Sequence, residues 1–288
     1  MLRRARDVMR RFPSVHRAIR SVWTPPERIY RHLYFDGLLK VEIEPGLALN
    51  LECHGEQLEN ELFWRGFGSW EGKSLKIWIV LARTANFVAD IGANTGVYAL
   101  VAQAVRPTAK IIAVEPSKRV FAKLQRNIAL NEFPITAVEC AASDASGTAT
   151  FFDFPLEHQY SGSLEAGMGG SVEIEVQSER MDTILELYGF DRLDLVKIDV
   201  ELHEPAVLRG MRQTLERCRP TMLVEVLTDE IERGVREAIA GLDYRIVPIG
   251  GDHSPDPKGD ARNFLIAQDH VLKALSSIPD TWLPQLQP

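Results

Sequence analysis

From residue 87 onward the chain alternates short apolar runs with amphipathic ones, and that alternation restricts its fold more than any single motif. FVADI (87–91), KIIAVE (110–115), ITAVECAAS (135–143), LDLVKID (193–199) and PTMLVEV (220–226) read as strands. Apolar residues at helical spacing fill the gaps, over 95–105, 117–131, 204–218 and 229–241. Near-continuous apolar strands separated by amphipathic helices are buried on both faces, so the chain reads as an α/β protein with a parallel sheet built from βαβ units. YRIVPI (244–249) and RNFLIAQ (262–268) close the pattern as two strands joined by a polar loop. Without a crossover helix they pair antiparallel. The expected fold is a Rossmann-like sheet, mostly parallel, with an antiparallel last strand.

Three segments lie outside this pattern. Residues 38–52 alternate apolar and polar around Pro45-Gly46, a hairpin signature, and 57–82 read as helices. Residues 147–178 interrupt the alternation with two strand-like runs around a glycine-rich stretch, a hairpin excursion with a candidate lid. The expected organisation is a helix-and-hairpin extension over 1–60, a main domain over 61–270 and a tail over 271–288.

Charge divides the chain unevenly. The net charge is −7, which argues against a nucleic-acid partner, yet residues 1–31 hold nine arginines against Asp7 and Glu27. Val8, Met9, Phe12, Val15, Ile19, Val22 and Trp23 recur among them at helical spacing, with Pro13 starting or interrupting the helix. The pattern favours a helix packed on its own domain with a solvated basic face over peripheral contact with a membrane or a partner. Cys53, Cys140 and Cys218 are widely spaced, without disulfide or zinc spacing, which fits a reducing, cytoplasmic setting. The longest clean apolar run near the middle, IWIVLA, is far below the ~18 residues of a membrane span, and no secretory signal is read.

VADIGANTGVYAL (88–100) is the strongest local signal. A strand ends near Asp90, the chain turns through Gly92 and Gly96, and a helix opens, offering free N–H groups to a ligand. Glu115 ends the next strand, 23 residues after Gly92, where an acid accepts hydrogen bonds from ribose hydroxyls. Asn94 stands where a dinucleotide loop has its second glycine, the one that makes room for pyrophosphate. The pattern suits a nucleoside ligand without pyrophosphate, such as S-adenosylmethionine. Ser143 and Asp144 end the third strand, where Asp144 either accepts from an adenine amino group or only begins the turn DASG.

Taken with AVEPSKRVFAKLQRNIALN, SERMDTIL, LDLVKIDVELHE, VLRGMRQTL and LVEV, these motifs resemble the FkbM family of S-adenosylmethionine-dependent methyltransferases over about residues 61 to 268. The resemblance implies a class I methyltransferase sheet of seven strands and methyl transfer to a hydroxyl of a sugar, glycan or natural product. It maps the family's cofactor motif onto Asp90, Gly92, Ala93, Asn94 and Gly96, its ribose acid onto Glu115, and its KIDVEG-x-E motif onto Lys197, Asp199, Glu201 and Glu204. Leu202 replaces the family's glycine, and His203 follows it.

In KIDVELHE, Lys197, Asp199 and Glu201 share strand parity at a strand's carboxyl end, where ligands of open α/β sheets gather. Asp199 is expected to orient the acceptor or the methionine ammonium, or to act as base. His203 is the most familiar kind of base but also suits a solvated helix start. Glu204, before Pro205, complements the helix dipole. Asp199, Glu201, His203 and Glu225 could also form a hard-cation site, but nothing in their spacing requires it and no metal is expected. Tyr98 and Glu61 are weaker site candidates. Two other readings remain: a nicotinamide-dependent oxidoreductase, disfavoured by Asn94 and the antiparallel close, and a non-catalytic module binding a partner through its basic N-terminus.

Overall fold

A computed structural model describes residues 13–153, 162–165, 171–250 and 262–278. The expected strands assemble into a seven-stranded sheet. In chain order they are β3 (Phe87–Ile91), β4 (Lys110–Val114), β5 (Thr136–Val138), β10 (Leu195–Ile198), β11 (Thr221–Glu225), β12 (Arg245–Pro248) and β13 (Asn263–Ala267). Their spatial order is β12-β13-β11-β10-β3-β4-β5. β13 lies between β11 and β12 and runs against both, while the other pairings are parallel. The order reverses between β3 and β10, which makes their carboxyl ends the switch point of the sheet.

Strand parity sorts the core into two layers. Val88, Ile111, Ala113, Leu195 and Leu223 bury on one face; Ala89, Ile91, Ile112, Val196, Ile198 and Met222 bury on the other. The second face carries α7 (Met181–Leu187), α8 (Glu204–Gly210), α9 (Arg212–Cys218) and α10 (Asp229–Ala238). The first carries α3 (Gln57–Arg65), α4 (Gly72–Ala82), α5 (Val97–Val105), α6 (Lys118–Leu130) and α11 (Asp269–Ser276). The hairpin of β1 (Asp36–Glu44) and β2 (Leu47–His54) packs into that same layer. Side chains of α6 and its C-cap tie it down: Asn131 Oδ1 and Nδ2 bond the Asn50 N–H and carbonyl, each at 2.8 Å, and Asn127 accepts from Glu52 N at 2.8 Å. The expected division at residue 60 falls inside α3, and the expected tail begins within α11, whose Leu272 and Leu275 are buried.

Two expected elements divide. The run 135–143 is not one strand: β5 stops at Val138, and β6 (Ala141–Ser143) pairs with β9 (Val172–Arg180) in a second sheet of order β6-β9-β7-β8, with β7 spanning Gly147–Asp153 and β8 Gly162–Ser163. The excursion is therefore a small sheet of its own, not an extension of the main edge. Residues 154–161 and 166–170 of the excursion lie outside the described residues. The helix expected over 204–218 breaks at Met211 into α8 and α9. Gly210 marks the approach of α8 to β6: a Cβ there would lie 1.8 Å from the Ser143 carbonyl oxygen. Gly210→Ala is expected to destabilise the protein by about 1–3 kcal/mol or more, read as a lower urea midpoint at unchanged slope.

The N-terminal residues form α1 (Pro13–Val22) and a short turn of helix, α2 (Glu27–Tyr30). His16 is buried among the rings of Phe35, Phe63 and Trp64, with centroids 6.1–6.4 Å away, so α1 packs on the main body. Residues 1–12 of the expected amphipathic segment lie outside the described residues. No helix among the described residues is long and apolar enough to cross a membrane.

Candidate active site

A cavity of about 490 Å³ opens at the switch point. Its first wall is the turn after β3. Gly92 and Asn94 take positive φ (76° and 53°), and Gly96 (94°) caps α5. Asparagine tolerates the left-handed region better than most side chains, which explains how the chain turns here without a second glycine. The N–H groups of Gly92 and Ala93 both donate to the Val114 carbonyl, at 2.9 and 3.0 Å. A Cβ on Gly92 would lie 1.8 Å from the Asp199 carbonyl oxygen, so this turn presses directly on the turn after β10. Gly96 packs against Leu124 and does not line the cavity.

Glu115 lies buried on the cavity wall and accepts from the Asn94 N–H at 3.0 Å and the Ser117 N–H at 2.9 Å. Burial pushes its carboxyl up to about 7, against the pull of those two donors. Asp90, which accepts from Ala99 N at 2.9 Å, is likewise pushed up to about 7 by burial.

The other end is built from strand ends. Lys197 occupies a core position on the first face of the sheet and is 1% exposed. Its Nζ donates to Asp199 Oδ2 at 3.2 Å and to Asn263 Oδ1 at 3.4 Å, and it lies 5.1 Å from the Tyr98 ring centroid. Burial opposes the lysine's charge, but Asp199, Glu71 and Glu225 outweigh it and hold its pKa above the ordinary lysine value. Burial also works against ionised Asp199, yet Lys197 and a hydrogen bond from Glu225 depress its pKa. Burial and the Asp199 charge push Glu225 well up. The two shifts favour the ionised form of Asp199 and the protonated form of Glu225.

Glu71 completes the cluster. It caps α4 in a left-handed conformation (φ 44°), is buried, and accepts the Tyr98 hydroxyl. Carboxylate oxygens of Glu71, Asp199 and Glu225 lie within 4.8 Å of one another. This set differs from the hard-cation set considered above, and Lys197 already supplies it with a cation. Nothing in the spacing of Glu71 marked it, because it sits in a loop between two helices.

Past Ile198 the strand parity of Glu201 no longer applies. Glu201 and Leu202 both take positive φ (53° and 80°), so Leu202, at the position mapped to the family's glycine, holds a left-handed conformation at a cost of roughly 1–2 kcal/mol. Glu201 still lines the cavity, and its carbonyl accepts from the Ser163 hydroxyl. His203 also lines the cavity, bridging Ser143 Oγ and Glu165 Oε1 at 3.0 Å each. Ser143 thus contacts His203 without reaching the cavity wall. Asp144, read either as an adenine acceptor or as the start of a turn, is paired with Arg209 at 2.7 Å outside the cavity. Cys140, Ala141, Leu164 and Phe151 form that wall. Glu204 is fully buried, accepts from Val200 N at 3.1 Å, and is pushed up to about 7 by burial, which makes it a structural brace of the turn. Glu61 takes the Tyr30 hydroxyl, 2.8 and 2.9 Å from its two oxygens, away from the site.

Residues 90–246, more than half of the chain, match the methyltransferase FkbM domain. Methyltransferase sdnD of Sordaria araneosa is 30% identical, with 43% of this chain and 60% of that protein covered. The 31-O-demethyl-FK506 methyltransferase FkbM of Streptomyces tacrolimicus is 27% identical, covering 45% and 60%. Hexuronic acid methyltransferase AglP of Haloferax volcanii is 28% identical, covering 44% and 50%. The chain thus spans between half and three-fifths of the length of these relatives. The Asp90–Gly96 turn, Glu115 and the strand ends bearing Lys197, Asp199 and Glu225 all fall inside the matched span, and the chain belongs to the methyltransferase FkbM domain family.

Proposed function

We propose that the protein is an S-adenosylmethionine-dependent methyltransferase acting on a hydroxyl of a sugar, glycan or natural product. The charge of the cavity carries this reading. Nine acidic side chains line it against one lysine and no arginine; burial raises Glu59, Asp90, Glu115 and Glu225, and the remaining five still outnumber the lysine. Such a wall suits a ligand bearing a sulfonium and an ammonium, and it repels the pyrophosphate of a nicotinamide dinucleotide. Glu115, under the turn of Gly92–Thr95, is the ribose acceptor. Asp90 and the turn backbone face the amino-acid part, and Ala141 and its neighbours face the base. When bound, S-adenosylmethionine supplies a methyl group already activated on sulfur. The chain's own task is then to align an acceptor hydroxyl and take its proton. Asp199, held ionised by Lys197 and partly open to the cavity, takes that role, braced by Glu71 and by Glu225, whose pKa burial raises. The names of two relatives, a hexuronic acid methyltransferase and an O-demethyl natural-product methyltransferase, support a hydroxylated acceptor.

Calorimetric titration against S-adenosylmethionine and NAD, followed by a labelled-methyl screen of hydroxylated acceptors, tests this reading. Binding of NAD alone would overturn it. Retained S-adenosylmethionine binding without transfer to any acceptor would favour the non-catalytic reading. The pH dependence adds a sharper check. Glu115 carries a proton in the free protein below about pH 7 and must lose it before ribose hydroxyls can donate to both oxygens. Affinity for S-adenosylmethionine is therefore expected to fall by up to about tenfold per pH unit below that value and to level off above it. Because this pKa is raised, the same group costs the free protein stability as pH rises from 4.5 to about 7. An affinity flat across that window, with no proton release on binding, would refute the assignment of Glu115.

A further inference from the structure

Helix α1 buries one side and leaves a second apolar side in solvent. The inner side carries His16 and Ile19. Val15, Ala18 and Val22, at i, i+3 and i+7, form a separate stripe, and all three are exposed. Val22 is 85% exposed, and Trp23, which follows the helix, 50%. Ile29 and Leu38, in the same short segment, are also exposed, Leu38 at 55%. Ten large apolar side chains are exposed among the described residues, and five of them fall between 15 and 38. Exposure concentrated in this way marks an interaction surface, whereas scattered single residues would not. Arg17 joins its parts: its guanidinium donates to the Leu38 carbonyl at 2.5 Å and lies 5.7 Å from the Phe35 ring centroid.

Charge identifies what covers the surface. Residues 1–38 hold nine arginines against three acids, while the other 250 residues sum to −13. Arg28 and Arg31 are exposed in the same segment as these apolar residues, with Glu27 and Asp36 the acids of the described part. Aliphatic side chains, an exposed tryptophan and arginines on one short segment match the layered chemistry of a lipid headgroup region. The acidic remainder would be repelled by the same lipids, so only one orientation is favourable. We propose that this N-terminal face docks on an anionic lipid bilayer. The inference does not depend on the methyl-transfer reading. It relates the face to the site through α3: Phe63 and Trp64 at its end hold His16 on the inner side of α1, while Gln57 and Leu58 in its first turn line the cavity, so α1 and the ~13 Å length of α3 lie between the two features.

Co-sedimentation of the full chain with phosphatidylcholine vesicles, with and without phosphatidylglycerol, tests the proposal. Binding is expected only with the anionic lipid and is expected to weaken with salt. Val22→Asp with Trp23→Ala should lower the affinity at least about tenfold by removing apolar anchors. Arg28→Glu with Arg31→Glu should lower it by about twenty-fold or more. S-adenosylmethionine affinity should be unchanged in both, which also reports folding. Independently of these variants, brominated acyl chains should quench fluorescence in the wild type that is absent from Trp23→Phe. Failure to bind, equal binding to neutral vesicles, or variants that bind like the wild type would overturn the proposal. So would a wild-type oligomer dispersed by Val22→Asp, which would make the face a contact between copies of this chain.

Discussion

Asp199→Asn is expected to lower methyl transfer by about 10²–10⁴-fold while S-adenosylmethionine affinity changes only a few-fold. Asparagine keeps the side chain's shape and can still meet Glu225, but it cannot take a proton from an acceptor hydroxyl. The loss should appear in kcat with little change in KM, the pattern of an interaction made in the transition state. Glu225→Gln separates the roles of the pair. Its raised pKa favours the protonated form of Glu225, so its amide replacement preserves the hydrogen bond to Asp199 and should cost far less. Single-turnover transfer of a labelled methyl group, measured for both variants, decides the matter. An Asp199→Asn enzyme within a few-fold of wild type would remove Asp199 from the proton-transfer role.

Lys197→Met is expected to act on the fold itself. The side chain is 1% exposed and is bonded to Asp199 and Asn263. Methionine fills similar space but leaves the buried carboxylates without their cation. Breaking a buried pair by removing one partner costs about 3–5 kcal/mol, because the remaining charge is uncompensated. The signs are set by the two shifts. Raised Lys197 contributes stability below its unfolded pKa of ~10.4, lost as pH rises through its folded value. Depressed Asp199 contributes stability above its unfolded pKa of ~3.9, lost as pH falls through its folded value. In the variant the Asp199 depression disappears and the carboxylates titrate upward. The deficit against wild type should therefore be largest near neutrality and shrink towards acid. Urea denaturation of both proteins across that range measures it, and a deficit below ~1 kcal/mol at neutral pH would show that Lys197 does not neutralise the cluster.

The βαβ repeat and the site's local pieces were legible in the sequence because they depend on neighbours along the chain. Strand parity placed Lys197 and Asp199 at one strand end, and the Asp90–Gly96 turn carried its own glycines. Where a residue's partner is distant, the same reasoning failed. The run 135–143 reads as one strand, because nothing local shows that Ala141 leaves the main sheet to pair with Ser178. Asp144 ends that run as a plausible site acid, but Arg209, 65 positions away, takes it. Parity put Glu201 on the face of Asp199, yet the strand ends at Ile198 and the backbone turns left-handed at Glu201 itself.

Local periodicity and turn chemistry thus settled the α/β class, the antiparallel close, the glycine turn after β3 and the strand end near Asp199, since each is written within a few residues. Strand order and helix packing decided the rest. They brought Glu71 from one loop and Glu225 from another strand within 4.8 Å of Asp199, and they set Tyr98 and Lys197 between sheet and helix. They also left one side of α1 in solvent while burying the other. A carboxylate's proton and a helix's exposed face depend on what lies across space, and that is fixed only when the whole sheet has formed.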